Sequence, residues 1–313
     1  MNRLVIAIAA VVAVLALTGG VVAFGKALPA SSSSSLTSAG AVSTATPGGL
    51  GFKGMTPAQV FDHLRGAQLT YTDASGTVKM LKATPGTVTA VSSTGITITP
   101  NGATTSASFP VTSSTVVFAL PDRGDIQSIV VGDKVVVVTQ DTSTDALFIG
   151  KANPMYPYVW MGGLMRWVWM NAASVVSPSA ATPSPTPGPG AYRRISPAQV
   201  FDHFRGAQLS YADASGALHT LTLTPGTVTA ISTTSVSITP NGQTTSTSYP
   251  ITSSTIVHAM PNRGDIQAII TGDKVVVATV DSSSDAMFIG KLPMMGMFGE
   301  MHGFMPAWGA DMP

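Results

Sequence analysis

The stretch TPGTVTAVSSTGITITPNG, residues 84–102, returns as TPGTVTAISTTSVSITPNG, residues 224–242. Val88 and Ala90, then Ile96 and Ile98, alternate with Thr, the two-residue period of a strand with one buried face. Pro100-Asn101-Gly102 follows as the strongest hairpin signal, because Asn and Gly accept the backbone angles of a tight turn. Thr84-Pro85-Gly86 reads as a second turn ahead of the alternating run. Such a stretch predicts short antiparallel strands, and its return predicts that the whole strand set is built twice.

The copy extends well beyond it. Residues 57–151 and 197–291 align without a gap at an offset of 140 positions, with roughly two thirds of the pairs identical. A period this long marks a duplicated domain and not a short solenoid repeat. Each copy opens on a helix signal. Thr56-Pro57-Ala58-Gln59 and Ser196-Pro197-Ala198-Gln199 fit a capping box with Pro at the first helical position. Val60, Phe61 and Leu64, and likewise Val200, Phe201 and Phe204, supply an apolar face, and Gly66 and Gly206 are placed to end the helix. Strand signals follow at Leu69/Tyr71, Leu81/Ala83, Phe109/Val111, Val116/Val117 and Leu147–Ile149, with Asp73–Gly76 as a turn. Val135 to Val138 is a continuous β-branched run, which suits a strand buried on both faces. Seven or eight short strands with turns every 8–12 residues argue an all-β barrel or sandwich. Between copies the core changes are Val91 to Ile231, Phe109 to Tyr249, Val111 to Ile251 and Leu147 to Met287, the swaps one core tolerates.

Composition narrows the function classes. The net charge is +1 and 10% of residues are charged. That leaves no electrostatic footprint for nucleic acid, so no nucleic-acid partner is expected. There is no Cys, which removes disulfides, thiolate metal sites and Cys nucleophiles.

The flanking segments predict export. Residues 1–28 carry an apolar run from Leu4 to Phe24, long enough to span a bilayer, behind Arg3. It reads as an uncleaved signal anchor or a cleaved signal peptide, with small residues at Gly25 and Ala27. Either places the rest outside the cytoplasm, membrane-anchored or secreted, with an envelope or protein partner. Residues 29–55 form a Ser/Thr/Gly-rich spacer, and residues 177–195 a Pro/Ser/Thr linker. The expected organisation is therefore barrel repeat 56–151, Met/Trp-rich segment 152–176, linker, barrel repeat 196–291 and Met-rich tail 292–313. A linker of this kind separates two beads and counts against a cleft shared between them.

GTVTAV (86–91), ITPNG (98–102) and the D-I-Q-x-I-x-x-G-D-K-V-V-V run (125–137) resemble a bacterial family of exported domains of unknown function. That family carries a G-V-x-x-V … I-V … L-x-V-G-D-x-V-x-V pattern. The likeness covers about Leu69 to Gly150 and the second copy. It implies two tandem small OB-like β-barrels outside the cytoplasm, and it supplies no catalytic residues. An OB-like fold does not by itself imply nucleic-acid binding, and no aromatic stacking platform stands out.

Several constellations carry the residue types of a site. Asp62-His63 and Asp202-His203 read either as an acid/base pair or half a metal site, which would suit a hydrolase, or as a solvated helix end where His suits the dipole. The second reading is preferred, since no nucleophile or third ligand accompanies them. His219 and His258 replace Lys79 and Phe118 and so belong to no site shared by both copies. Arg123-Gly124-Asp125 and Arg263-Gly264-Asp265 spell an adhesion tripeptide, but Gly and Asp also serve a turn. Asp141–Asp145 and Asp281–Asp285 start like a calcium loop, yet Ala146 and Ala286 stand where that loop needs Gly. They read as polar hairpin loops.

The chemical anomaly lies after each copy. Met155, Met161, Met165 and Met170 sit among Trp160, Trp167 and Trp169. The tail carries Met294, Met295, Met297, Met301, His302 and Met305. Thioether sulfur is a soft ligand, so copper(I) can be held there without Cys. The competing reading is adaptable packing on a barrel, a partner or a membrane surface. The preferred function is a non-enzymatic binding or structural module of the cell envelope, with soft-metal binding as the alternative and no other cofactor expected.

Overall fold

One strand organises each copy in the computed structural model, which describes residues 57–73, 75–119, 125–152, 201–259 and 265–291. The N-terminal run, the spacer, both Met-rich segments and the linker lie outside these residues. So do Met294, Met295, Met297, Met301, His302 and Met305. Among the described residues no helix is long and apolar enough to cross a membrane.

Helix α1 (Pro57–His63) leads directly into β1 (Leu64–Thr72). Then come β2 (Val78–Ser92), β3 (Gly95–Pro100), β4 (Ala107–Phe118), β5 (Lys134–Gln140) and β6 (Ala146–Lys151). The second copy repeats them as β7 (Phe204–Ala212), β8 (Leu218–Ile231), β9 (Ser235–Pro240), β10 (Thr247–His258), β11 (Lys274–Val280) and β12 (Ala286–Lys291). The all-β class expected from the alternation is what the described residues adopt.

Strand β2 pairs with β1 through 78–83, with β5 through 81–87 and with β3 through 86–92. From β3 the ladder passes to β4, then in parallel to β6, and from β6 antiparallel to β5. Because β5 returns to β2, the pairings β2-β3-β4-β6-β5-β2 form a closed circuit. The circuit β8-β9-β10-β12-β11-β8 repeats it. Closure leaves no open edge along these strands, which removes the usual template for aggregation.

Two expected breaks are absent and a third is displaced. Thr84-Pro85-Gly86 is not a turn; β2 runs through it. On the side where β2 changes neighbour, its pairing with β1 stops at Ala83 and its pairing with β3 starts at Gly86. Pro85 falls in that gap, where its missing N–H loses no ladder bond, and its carbonyl accepts from Asn101 N at 3.0 Å. Phe109/Val111 and Val116/Val117 belong to one strand, β4. Its ladder to β6 is interrupted between Val111 and Val116, where the Thr115 hydroxyl donates to Ala146 O at 2.6 Å. The helix stops at His63 and not at Gly66, because Leu64 already pairs with Tyr211 of β7. In its place Asn101 Nδ2 donates to Phe61 O and Arg65 Nη1 to Asp62 O, each at 2.7 Å, which satisfies carbonyls at the helix end.

The two copies are not separate beads. β1 pairs antiparallel with β7, so one 12-stranded sheet spans both copies. The register runs Ala67↔Leu209, Gln68↔Gln208, Leu69↔Ala207, Thr70↔Gly206, and an offset of 140 makes Gln68 and Gln208 the same position. A local two-fold therefore passes through this pair, and the seam is isologous, like the interface of a symmetric dimer.

The core divides accordingly. Val88, Ile96, Ile98, Val135, Val137 and Ile149 fill the first circuit, and Val228, Val236, Ile238, Val275, Val277 and Ile289 the second. A third cluster draws on both copies, with Leu69, Leu81, Val136, Val138 and Phe148 from one and Phe204, Leu209, Leu221, Val276 and Phe288 from the other. Strand β5 is thus buried on both faces as its valine run predicts, Val135 and Val137 inward and Val136 and Val138 toward the joint cluster.

The joint cluster sets an expected outcome. Cutting the linker with a site-specific protease between residues 177 and 190 should leave the two halves co-eluting on size-exclusion chromatography. Two beads on a string would separate.

Candidate functional site

The sequence-selected Asp-His pairs lie at the two opposite ends of the seam, His63 beside the Leu64↔Tyr211 pairing and His203 beside the Tyr71↔Phe204 pairing. Both sit at the end of the opening helical turn of their copy, just before the seam strand. His63 Nδ1 lies 2.9 Å from Ala212 O, and His203 Nδ1 lies 2.8 Å from Thr72 O. Ala212 and Thr72 are equivalent positions, so each copy's histidine bonds the other copy's main chain. The preceding carboxylates turn elsewhere. Asp62 receives Lys134 Nζ at 2.5 and 2.6 Å, and Asp202 pairs with Lys274 in the same way. Lys274 Nζ also stands 5.9 Å from the centre of the Phe201 ring.

This arrangement departs from the acid/base reading of the pair, and from the solvated-helix-end reading for the histidine alone, since Asp62 and Asp202 are exposed. Asp and His do not form an acid/base dyad, because each engages a different partner. Nor does the histidine lie on a solvated helix face; it is half-buried across the seam. The sequence signal that could have found this is the recurrence of Asp-His beside a strand that begins without a linker.

The two-fold is broken at one polar position. Arg205 Nε donates to Thr72 Oγ1 at 2.5 Å, whereas Ala212, at the position equivalent to Thr72, has no hydroxyl and Arg65 bonds Asp62 O. Each arginine also lies against a hairpin glycine. A Cβ at Gly102 would sit 2.6 Å from Arg65 Nε, and Gly102 itself has φ +76. The PNG hairpin, the helix end and the seam are therefore one connected unit.

The remaining sequence candidates have structural roles. Asp125 caps the 3-10 turn Ile126–Ser128, accepting from Gln127 N at 2.8 Å; Arg123 and Gly124 lie outside the described residues. Asp141, at φ 52, accepts from Met80 N at 2.9 Å and lies 3.4 Å from Lys79 Nζ. Among the described residues no group of three or more His, Asp or Glu side chains is arranged to hold a metal ion. His258 is buried at the end of β10.

His219 stands where the first copy has Lys79, which faces Asp141 and acts on Asp73 as His219 does on Asp281 and Asp213. His219 Nδ1 is 2.5 Å from Asp281 Oδ2 and its Nε2 3.3 Å from Asp213 Oδ2, with the Tyr211 ring 5.4 Å away. The bond to Asp281 outweighs desolvation and raises the imidazole above its ordinary value. Asp213 is held down at about 2, chiefly by the Ser215 hydroxyl, and burial pushes Tyr211 up to about 12. A raised imidazole binds its proton more tightly in the folded state. The stability it contributes is complete below pH 6.5 and fades as pH rises through the folded value. His219→Gln should therefore lower Tm more at pH 5.5 than at pH 9, and Lys79→Gln, at the matching position, should show no such step across that range. Thermal unfolding at several pH values checks both.

No protein-family model matches this chain, and no curated protein or solved structure is significantly similar to it.

Proposed function

We propose that this chain is a non-enzymatic binding or structural module of the cell envelope, exported by its N-terminal segment and built from two OB-like β-barrels joined at a seam. The observation that carries the reading is the seam. The histidines of the duplicated Asp-His pairs, the best catalytic candidates, bond the other copy's main chain, and a rigid double scaffold suits display better than turnover. The OB-like reading rests on the circuit β2-β3-β4-β6-β5-β2 with β4 and β6 parallel and a long first strand shared by two neighbours. It agrees with the resemblance to exported domains of unknown function. The apolar run Leu4–Phe24 and the Ser/Thr/Gly spacer support presentation outside the membrane.

The test is cell fractionation with a C-terminal epitope tag. The tagged chain should appear in the membrane fraction or the medium, with the tag open to protease added to intact cells. Recovery from the cytosol alone sinks the proposal.

A second reading has its own observation. Met294, Met295, Met297, Met301, His302 and Met305 form a soft-donor cluster in a chain without Cys. Copper(I) competition against a chelating dye tests it. A chain with these methionines changed to leucine that takes up copper(I) as well as the wild type refutes it.

A further inference from the structure

The turn before β5 holds aliphatic side chains out in solvent. Val130 and Val131 are 56% and 64% exposed, and Ile270, the counterpart of Val130, is 60% exposed. Single exposed aliphatics are ordinary. These are distinguished by how firmly they are held and by what emerges beside them.

The turn is clamped at several points. Val130 N donates to Asp133 Oδ2 at 2.8 Å, Gly132 N to Val88 O at 2.9 Å, and Val88 N to Asp133 O at 2.8 Å. Gly132 has φ +94, which only Gly adopts without strain. The second copy repeats each contact, Ile270 N to Asp273 Oδ2 at 2.7 Å included.

The chain leaves the barrel at this same point. Lys151, the last residue of β6, places Nζ 2.7 Å from the Asp133 carboxylate that holds Val130, and Ala152 N donates to Lys134 O at 2.7 Å. Lys291 meets Asp273 in the same way at 2.7 Å. Three residues beyond Ala152 the chain reaches Met155, and an extended tripeptide covers about 10 Å. The first apolar residues of the Met/Trp-rich segment are therefore within reach of the exposed valines, tethered at high effective concentration.

We infer that Val130 and Val131 form the docking surface for the chain's own Met/Trp-rich segment, residues 155–170. Thioether side chains adapt to irregular apolar surfaces, and the indole rings supply large contact area. Thr271 stands where the first copy has Val131, so the second copy offers the smaller surface, and the tail that follows it docks less firmly.

The sequence provides its own reporter. The four tryptophans are Trp160, Trp167, Trp169 and Trp308, all outside the barrel copies. In the full chain carrying Trp308→Phe, reconstituted in nanodiscs, emission then reports on residues 160–169 alone. Val130→Asp/Val131→Asp should shift that emission to longer wavelength and increase acrylamide quenching, while far-UV circular dichroism stays unchanged. Val130→Ser/Val131→Ser gives the same reading should the charged pair perturb folding. Unchanged emission in a folded variant overturns the proposal. So does strong quenching of the wild type by brominated lipid, which assigns the segment to the bilayer, or a shift that follows protein concentration, which assigns it to a second chain.

Discussion

Replacing Leu209 by Asp should open the seam and cost about 4 kcal/mol or more, because it buries an unpaired charge. Leu209 is 4% exposed, opposite Ala67 of β1 on one side and Leu221 of β8 on the other. Neither neighbour can pair a carboxylate. For comparison, Leu209→Ala should cost about 2–5 kcal/mol through the cavity alone, and Val78→Asp, at 62% exposure, within about 0.5 kcal/mol. Denaturant unfolding measures all three. The clusters inside the two strand circuits do not include Leu209, so the damage should fall first on the joint cluster. In the linker-cut protein, Leu209→Asp should let the halves separate on size exclusion where the wild-type halves stay together. Halves that remain together with near wild-type stability would show that the joint cluster is not what binds the copies.

Gly86→Ala is expected to cost about 3 kcal/mol, at the upper end for adding one methyl group to a packed site. The added Cβ would lie 2.6 Å from Thr99 O, 3.0 Å from Ile98 Cδ1 and 3.0 Å from Pro100 Cα. Two of these are backbone atoms of β3, so no rotamer change relieves the contact. Gly226 repeats the geometry, with 2.6 Å to Thr239 O. Gly76→Ala separates this effect from backbone strain. Gly76 has φ +85 and open space around it, so its substitution should cost only the roughly 1–2 kcal/mol of a left-handed conformation. Equal Tm losses for the two variants would remove the close-approach argument.

These positions also mark where the residues could be read and where they could not. A Pro-Gly pair signals a turn because Pro lacks a donor and Gly is free in φ. In β2 both properties serve a strand instead, Pro85 at the gap between two neighbours and Gly86 at a close crossing. Only the neighbours distinguish the two uses. The Asp-His pair misled for a related reason. Its residue types suit proton transfer, but β5 of the same copy supplies a lysine to the carboxylate and the seam supplies the other copy's carbonyl to the imidazole. His219 was legible as unshared between copies, and its role became visible once Asp213 and Asp281 were brought to its two nitrogens.

The amino-acid sequence by itself determined the duplication, the β class, the hairpin at Asn101-Gly102 and the burial of Val135–Val138 on both faces. Side-chain period and turn chemistry are local, so they survive in the residue order. Only the tertiary structure decided what covers the second face of β5, and the answer is a cluster drawn from both copies. The β1–β7 seam is made by main-chain groups, which every residue carries alike, between strands 140 positions apart. An apolar pattern records that a face is buried; it does not name the surface that buries it.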